Sequence, residues 1–334
     1  MTNTIQIAHG GGGRLSSQLI DEEIVSRFGE GPLKNLPDAA LLPNPNSKIV
    51  FSTDSFVVHP LMFPGGNIGN LAVHGTINDV SVSGGRPLWL SLGLILEEGL
   101  SLDILRTVLD TIKKTAEECN VKIVTGDTKV VSRGQCDGMY INTAGIGVAL
   151  ENFNLDKNSI LPGDSVLVSG TIGDHGMAVL AAREGINIEN GPVSDTASVH
   201  KLVEIAHEFG QSVRFMRDPT RGGVAAVLNE IASGTNIGFK LESSSIPLSK
   251  GTDSISEILG IDPLNVACEG RMLLICDSSA ADKMLEKWNQ IPEGSGATII
   301  GKATTVAGRV ELLTVTGGTR LIDVSQGELL PRIC

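Results

Sequence analysis

Four aspartates lie where a hard cation or a phosphate group is commonly held. Asp54 sits in STDS, at a polar break in an apolar run. Asp79 follows Asn78 inside NDVSVSGG, Asp127 follows the apolar VKIV in TGDTK, and Asp218 opens DPTRGG. Magnesium takes one or two carboxylates and completes its shell with phosphate and water. Carboxylates gathered at strand ends hold a pair of such ions on a polyphosphate. Each aspartate taken alone reads as an ordinary turn residue. Four of them at the ends of apolar elements favour a metal–phosphate site, without naming a nucleotide. The other reactive group is the last residue. The tail Ser325–Cys334, SQGELLPRIC, ends in a thiol beside a carboxylate. Pro331 fixes its own φ and keeps Leu330 extended, so the end is not helical. An extended stretch of this length spans roughly 30 Å, enough to carry a thiol from a surface anchor into a pocket. On the thiol alone, a frayed terminus remains the alternative.

Other chemistries are excluded or weak. There is no GxxxxGK[ST] phosphate loop, no GxGxxG after a strand and no GxSxG nucleophile turn. His74 in AVHGT and His175 in GDHG are single histidines and read as structural. The net charge of −12 argues against nucleic acid or an anionic membrane as a partner for the whole surface. No apolar run reaches the roughly 18 residues of a membrane span, and the opening MTNTIQIAHGGGG lacks a secretory pattern. Cys119, Cys136, Cys268, Cys276 and Cys334 are odd in number and show no CxxC spacing. They suggest neither a disulfide framework nor a zinc site, and a cytoplasmic setting is expected.

The elements that position these groups follow from periodicity. A chain of 334 residues with 41% hydrophobic and 3% aromatic content exceeds one ordinary core, so two α/β domains built from aliphatic residues are expected. Residues 1–37 read as a mobile arm with a Gly-rich loop, His9 and Gly10–Gly13, followed by a short amphipathic helix over 15–28. The first domain spans 38–150. The pattern predicts a buried strand over 47–58, a helix over 67–85, a strand over 86–96 and a helix over 101–119 with Ser101 as N-cap. Strands over 121–131 and 139–150 complete a βαβαββ order. A polar linker over 152–160 leads to the second domain, 151–320. There strands are expected over 162–169, 237–247, 270–276 and 297–313. Helices are expected over 174–184, 196–208, 222–232 and 280–290, with one more before residue 270. Residues 321–334 form a flexible tail.

The motifs STDSF, FPGGNIGNLAVHGTINDVSVSGG, TGDTKVV, RDPTRGGVAAVLNEIA, ACEGR and PRIC occur in that order along essentially the whole chain. Together they resemble the HypE family of hydrogenase maturation proteins, within the aminoimidazole-ribonucleotide-synthetase-like (PurM-like) ATP-binding superfamily. Asn67 stands where the family often carries Asp. The resemblance implies a two-domain α/β (α+β) fold whose N-terminal domains pair, in a homodimer, into a β-barrel. It implies ATP and Mg2+, with Asp54, Asp79, Asp127 and Asp218 as metal ligands. His9, Gly10, Gly11, Gly12, Gly13, Asn78, Thr128 and Arg271 would lie at the nucleotide. The implied reaction is ATP-dependent dehydration of a carbamoyl group carried on Cys334, giving a thiocyanate. HypF would donate the carbamoyl group, and the HypC–HypD complex would accept cyanide for the iron of a nickel-iron hydrogenase. Removing protons from the carboxamide nitrogen needs a base. Glu269 and Lys129 are the candidates. Alternatively, Lys129 neutralises the carboxylates, and Glu269 pairs with Arg271. Competing readings are another ATP-dependent enzyme of the superfamily, which would not need the terminal PRIC, or a nucleotide-binding scaffold whose tail docks on a partner.

Overall fold

The computed structural model describes residues 3–11, 13–36, 39–186, 188–324 and 333–334. The expected helix over 15–28 is present as one continuous run: α1 (Arg14–Leu19), a wider π segment (Ile20–Val25) and α2 (Ser26–Phe28). This N-terminal segment is not a free arm. Ile5 is buried and pairs its backbone with Leu100 O (2.7 Å) and Gly99 N (2.8 Å). Leu19, Phe28 and Leu33 enter the main core. Glu23, also buried, accepts from Arg106 at 2.8 Å and Arg27 at 3.1 Å, tying the π segment to the domain behind it. Its apolar residues and this paired acid dock the segment, and the polar glycine loop hid that in the sequence.

The N-terminal domain follows the expected order. It comprises β1 (Ile49–Phe56), a two-residue ribbon β2 (Met62–Phe63) and β3 (Gly66–Asn67), α3 (Ile68–Val82), β4 (Gly85–Glu97), α4 (Leu102–Glu118), β5 (Lys122–Val131) and β6 (Met139–Ala149). The sheet runs β1-β6-β4-β5. Only β4 and β5 are parallel, joined through α4. Alternation divides the sheet into two faces. Leu90, Leu92, Leu94 and Leu96 join the core with α3 and α4, while Trp89 and Ile95 point the other way. Strand β1 is an edge strand, with Ile49 and Phe51 exposed. The expectation that residues 47–58 form a buried strand is therefore corrected: among the described residues, the outer face of β1 is left largely exposed. Gly147 lets α3 lie directly on the sheet, since a Cβ there would come within 2.5 Å of Val80.

The C-terminal domain adds β7 (Ser165–Val168), α5 (Asp174–Glu184), α6 (His200–His207), β8 (Val213–Arg217), α7 (Gly223–Ser233), β9 (Gly238–Glu242), α8 (Lys250–Leu259), β10 (Leu273–Cys276), α9 (Ser278–Trp288), β11 (Thr298–Thr304), β12 (Val310–Leu313) and β13 (Thr319–Leu321). Its sheet runs β13-β12-β9-β11-β7-β10-β8. Strands β8 and β13 were not anticipated; both are short and carry arginine. Helix α6 begins at His200 rather than 196, because the preceding residues are held elsewhere, as described below. The 152–160 linker is anchored by Phe153 and Leu155, which pack against the core around α6 and α9.

Helix α3 is buried along most of its length, with apolar residues on several faces and Asn70, His74 and Asp79 only half-buried. It meets β1, β4, β6 and α4 of its own domain and α6 and β8 of the other. Its N-cap is Asn67, whose side chain accepts from Gly69 N (2.7 Å) and donates to Thr111 Oγ1 (2.9 Å). The side chain that departs from the family pattern is thus spent on a cap, a role that Asp also fills. Asn67→Ala is expected to lower stability by about 1 kcal/mol, and Asn67→Asp by much less. Urea unfolding followed by circular dichroism measures both.

Candidate active site

The end of the chain is inside the protein. Ile333 is 5% exposed and belongs to the same core as Val179 and Ala267. Its carbonyl oxygen lies 2.9 Å from His175 Nε2. The Cys334 thiol then lies against the Glu269 carboxyl, with Arg221 hydrogen-bonded beside it and the charge of Asp54 within reach. Burial pushes the thiol well above its usual pKa; Glu269 adds to that and Arg221 opposes it. The docked thiol is therefore protonated at neutral pH. Residues 325–332, including Pro331, lie outside the described residues.

Glu269 is 2% exposed, and its Oε1 has no hydrogen-bond partner. Burial, then Asp218, Asp195 and Asp54, hold its pKa far above the ordinary carboxylate range. The alternative pairing with Arg271 is not what forms. Arg271 Nε donates to Thr171 O at 2.9 Å and lies 3.6 Å from Asp195. Asp195 in turn accepts from the Glu269 backbone N–H at 2.9 Å. Arg271 is thus engaged with its own domain.

Asn78 is also committed. It is fully buried, and its Nδ2 donates to Ala197 O and Glu269 O, both at 3.0 Å, while Oδ1 accepts from Val199 N at 2.9 Å. These bonds hold 197–199 out of helix α6, and they use both amide protons of a side chain expected at a nucleotide. The next residue, Asp79, accepts from Ser52 Oγ at 2.6 Å.

The four aspartates divide into two places. Asp54 shares the inner face of the sheet with buried Thr143, its register partner, and its carboxylate approaches α3. Asp54, Asp79 and Asp218 sense one another electrostatically. Burial raises Asp54 most, with Asp79 adding to it. Burial lifts Asp218 to about 7, and Asp79 and Asp54 contribute. Asp127 pairs in register with Gly93, on the outer face. It forms an ion pair with Lys129 at 3.2 Å, and both side chains are largely exposed. Strand parity separates these two sets, so Asp127 and Lys129 do not join the thiol within one chain. The neutralising alternative for Lys129 is the one this geometry displays. His9, Gly10, Asp127, Thr128 and Lys129 instead line a cleft of about 380 Å³. Gly10 packs so closely on Val130 that a Cβ would sit 2.8 Å away. His9 Nδ1 accepts from Gln6 N at 3.0 Å, Gly13 is the N-cap of α1 and Gly11 is exposed. Gly12 lies outside the described residues.

Among the described residues, no three His, Cys, Asp or Glu side chains are gathered closely enough to hold a metal ion unaided. The donors of Asp54, Asp79 and Asp218 are all hard oxygens, partly dehydrated and mutually repelling. Such a set suits a divalent cation that shares its shell with phosphate, rather than a closed protein cage.

Sequence reasoning missed Ser194, Arg221 and Asp195, and named His175 only as a structural histidine. Arg221 was within sight, in the quoted DPTRGG. The others become visible only when the tail and the 192–199 loop are placed.

Residues 37–149 match the N-terminal domain of AIR synthase related proteins, and residues 162–312 match the C-terminal domain of the same family. Carbamoyl dehydratase HypE of Rhizobium leguminosarum bv. viciae is 44% identical over 332 residues, covering 99% of this chain and 95% of the relative. The chain belongs to the HypE family. A crystal structure of hydrogenase maturation protein HypE in complex with ATP superposes with a TM-score of 0.94 at 42% identity, covering 99% of this chain and all of the other. HypE from a crystallised HypE–HypF complex superposes with a TM-score of 0.81 at 41% identity, covering 92% of this chain and 99% of the other. The two-domain PurM-like fold expected from the HypE motifs is the fold observed.

His74, on α3 beside the 196–199 loop, supplies a test of the domain junction. Burial, with the nearby His200, lowers its pKa to about 4, and its Nδ1 lies 3.3 Å from Thr196 Oγ1. A depressed histidine pKa means that the unfolded chain takes up a proton the folded chain refuses. The contribution of neutral His74 is complete above about pH 6.5 and is lost as pH falls towards 4. His74→Gln removes this titration. Denaturant midpoints measured from pH 7 to pH 4.5 are expected to fall more for the parent chain than for the variant.

Proposed function

We propose that this chain dehydrates a carbamoyl group carried on its own Cys334 to a thiocyanate, using ATP, during maturation of a nickel-iron hydrogenase. The observation that carries the reading is the seating of the Cys334 thiol against a buried, high-pKa glutamate beside Arg221 and the carboxylates of Asp54 and Asp218. The names of its relatives and the ATP complex of a HypE support the activity and the nucleotide.

The chemistry follows from the groups present. In the thiocarboxamide on Cys334, the carbonyl oxygen attacks the γ-phosphorus of ATP, and ADP leaves. One nitrogen proton is lost as the C=N bond develops. The carbon–oxygen bond then breaks, phosphate leaves with the oxygen, the second nitrogen proton departs and the nitrile forms. The net loss is the elements of water, delivered to phosphate. Glu269 is the base in this reading: it borders the sulfur, and once it has given up the proton that burial favours, it accepts a proton more strongly than an ordinary carboxylate. Arg221 places positive charge beside the reacting sulfur. Asp54, Asp79 and Asp218 would hold magnesium, which neutralises charge on the transferred phosphoryl group.

Asp127, Thr128, Lys129 and the His9–Gly10 loop form the second half of the proposed nucleotide site. They sit on or beside the outer face of the N-terminal sheet. That face also presents Ile49 at 58% and Phe51 at 63% exposure, and an apolar cleft lined by Ala39, Leu42, Trp89 and Ile146. An exposed apolar sheet face of this kind marks an interaction surface. A second copy, completing the family's β-barrel, fits it and would place the Asp127 group at the junction of two chains. HypF as carbamoyl donor is supported by the solved HypE–HypF complex. HypC–HypD as cyanide acceptor rests on the family resemblance, as does a cytoplasmic setting.

The decisive measurement is the mass of the C-terminal peptide after incubation with a carbamoyl donor system, with and without ATP. A carbamoyl adduct converted by ATP to a cyano adduct, 18 Da lighter by the loss of about one water, is expected on Cys334. Cys334→Ser is expected to abolish both adducts while leaving ATP binding intact. A serine variant that still supplies cyanide to a hydrogenase would defeat the reading. Asp79→Asn and Asp127→Asn are each expected to lower magnesium-dependent ATP turnover at least about tenfold, since each removes a charge but not shape. Steady-state assays over a magnesium titration check this.

A further inference from the structure

His175 occupies the first turn of α5, with no exposed surface, and both of its ring nitrogens are engaged. Nε2 lies 2.9 Å from Ile333 O, and Nδ1 lies 2.8 Å from Ser194 Oγ. A carbonyl oxygen only accepts, so Nε2 carries the proton. Nδ1 is then bare and accepts the hydroxyl hydrogen of Ser194. Ser194 is itself fixed: its backbone N–H donates to Pro64 O at 2.8 Å, and its Oγ accepts from Thr196 N at 3.2 Å. The Phe63 ring meets the imidazole edge-on, with centroids 5.3 Å apart. Burial lowers the His175 pKa to about 4, which keeps the ring neutral. A chain of hydrogen bonds thus runs from a loop of one domain, through Ser194 and His175, to the peptide carbonyl directly before the reacting cysteine. The Ile333 side chain packs into the same core as Val179 and Ala267.

We propose that His175, oriented by Ser194, is a positioning residue that clasps the tail backbone at Ile333 and so holds the Cys334 sulfur against Glu269. The clasp touches neither the sulfur nor the nucleotide; it acts through the tail. Among the described residues, the hydrogen bond to the Ile333 carbonyl and the buried Ile333 side chain hold the tail without a covalent link, so it can release. A carrier thiol needs that release if it is loaded by one partner and unloaded by another. The catalytic consequence rests on the proposed function; the clasp itself does not.

The test is the rate at which iodoacetamide alkylates Cys334 in the full chain, read from the mass of the C-terminal peptide, with Cys119, Cys136, Cys268 and Cys276 as internal controls. His175→Leu removes the donor and keeps the bulk. It is expected to raise the Cys334 rate roughly five- to thirtyfold, the factor associated with losing one buried hydrogen bond. The four interior cysteines stay protected. His175→Gln, whose amide restores a donor near the Nε2 position, is expected to remain within about twofold of the parent. Ser194→Ala, which frees the tautomer, falls between them. An unchanged Cys334 rate in His175→Leu with the interior cysteines protected overturns the proposal. If His175→Leu instead exposes all the cysteines, Ser194→Ala decides: a faster Cys334 rate with a protected interior supports the clasp, and an unchanged rate overturns it. In the dehydration assay, His175→Leu should slow conversion of the loaded thiol at unchanged ATP affinity, with His175→Gln restoring it. If the parent chain never forms a cyano adduct while the alkylation pattern holds, the proposed function fails and the clasp stands.

Discussion

The arrangement around the thiol depends on one buried amide. Asn78 reaches from α3 into the other domain and satisfies three backbone groups there, on Ala197, Val199 and Glu269. Leaving such groups unmet in the interior costs about 1–3 kcal/mol each, so the two loops have little freedom to separate from α3. They are also pressed together: a Cβ on Gly270 would lie 1.8 Å from Asp195 O. Glu269 is therefore set by its backbone on both sides, by Asn78 through its carbonyl and by Asp195 through its amide. The main chain of Glu269 is thus held on both sides, while its Oε1 has no hydrogen-bond partner.

Much of this was readable from the chain. Helix α4 announced itself through Ser101 and the spacing of Leu105, Val108, Leu109 and Ile112, and Ser101 does cap it. The βαβαββ order of the first domain followed from apolar periodicity. What was not readable has physical causes. Strand β1 looked buried because its outer face is apolar, and alternation says nothing about whether a face is covered by the same chain or by another. The 1–37 segment looked loose because of its run of consecutive glycines, Gly10–Gly13, while one buried acid, Glu23, and a few apolar residues dock the described part. Helix α6 starts late because Asn78 takes the hydrogen-bonding groups of 197–199, a tertiary contact that local propensity does not encode.

The candidate site was legible in type more than in grouping. The carboxylates, the cysteine and Glu269 were all singled out, and Asp54, Asp79, Asp218, Glu269 and Cys334 do share one electrostatic neighbourhood. Asp127 and Lys129 do not, because strand parity sends them to the opposite face of the sheet. Position along a strand was visible in the sequence; the phase of that strand relative to its neighbours was not. Asn78 and Arg271 were expected at the nucleotide because the family resemblance implies it; in this chain Asn78 bonds the 197–199 and 269 backbones and Arg271 bonds Thr171 and faces Asp195. A polar side chain in the interior is as often a fastener as a reagent.

The docked tail places the Cys334 thiol and Glu269 side by side in one chain. On the proposed reading, dehydration is then first order in loaded chain. The local concentration of substrate at Glu269 is set by the length and docking of the tail and is indifferent to how dilute the protein is. Free carboxamides in the cell, however abundant, meet a site already filled by a tethered competitor. Selectivity for the intended carbamoyl group therefore need not come from a pocket shaped to recognise it. The chain recognises its substrate by being attached to it.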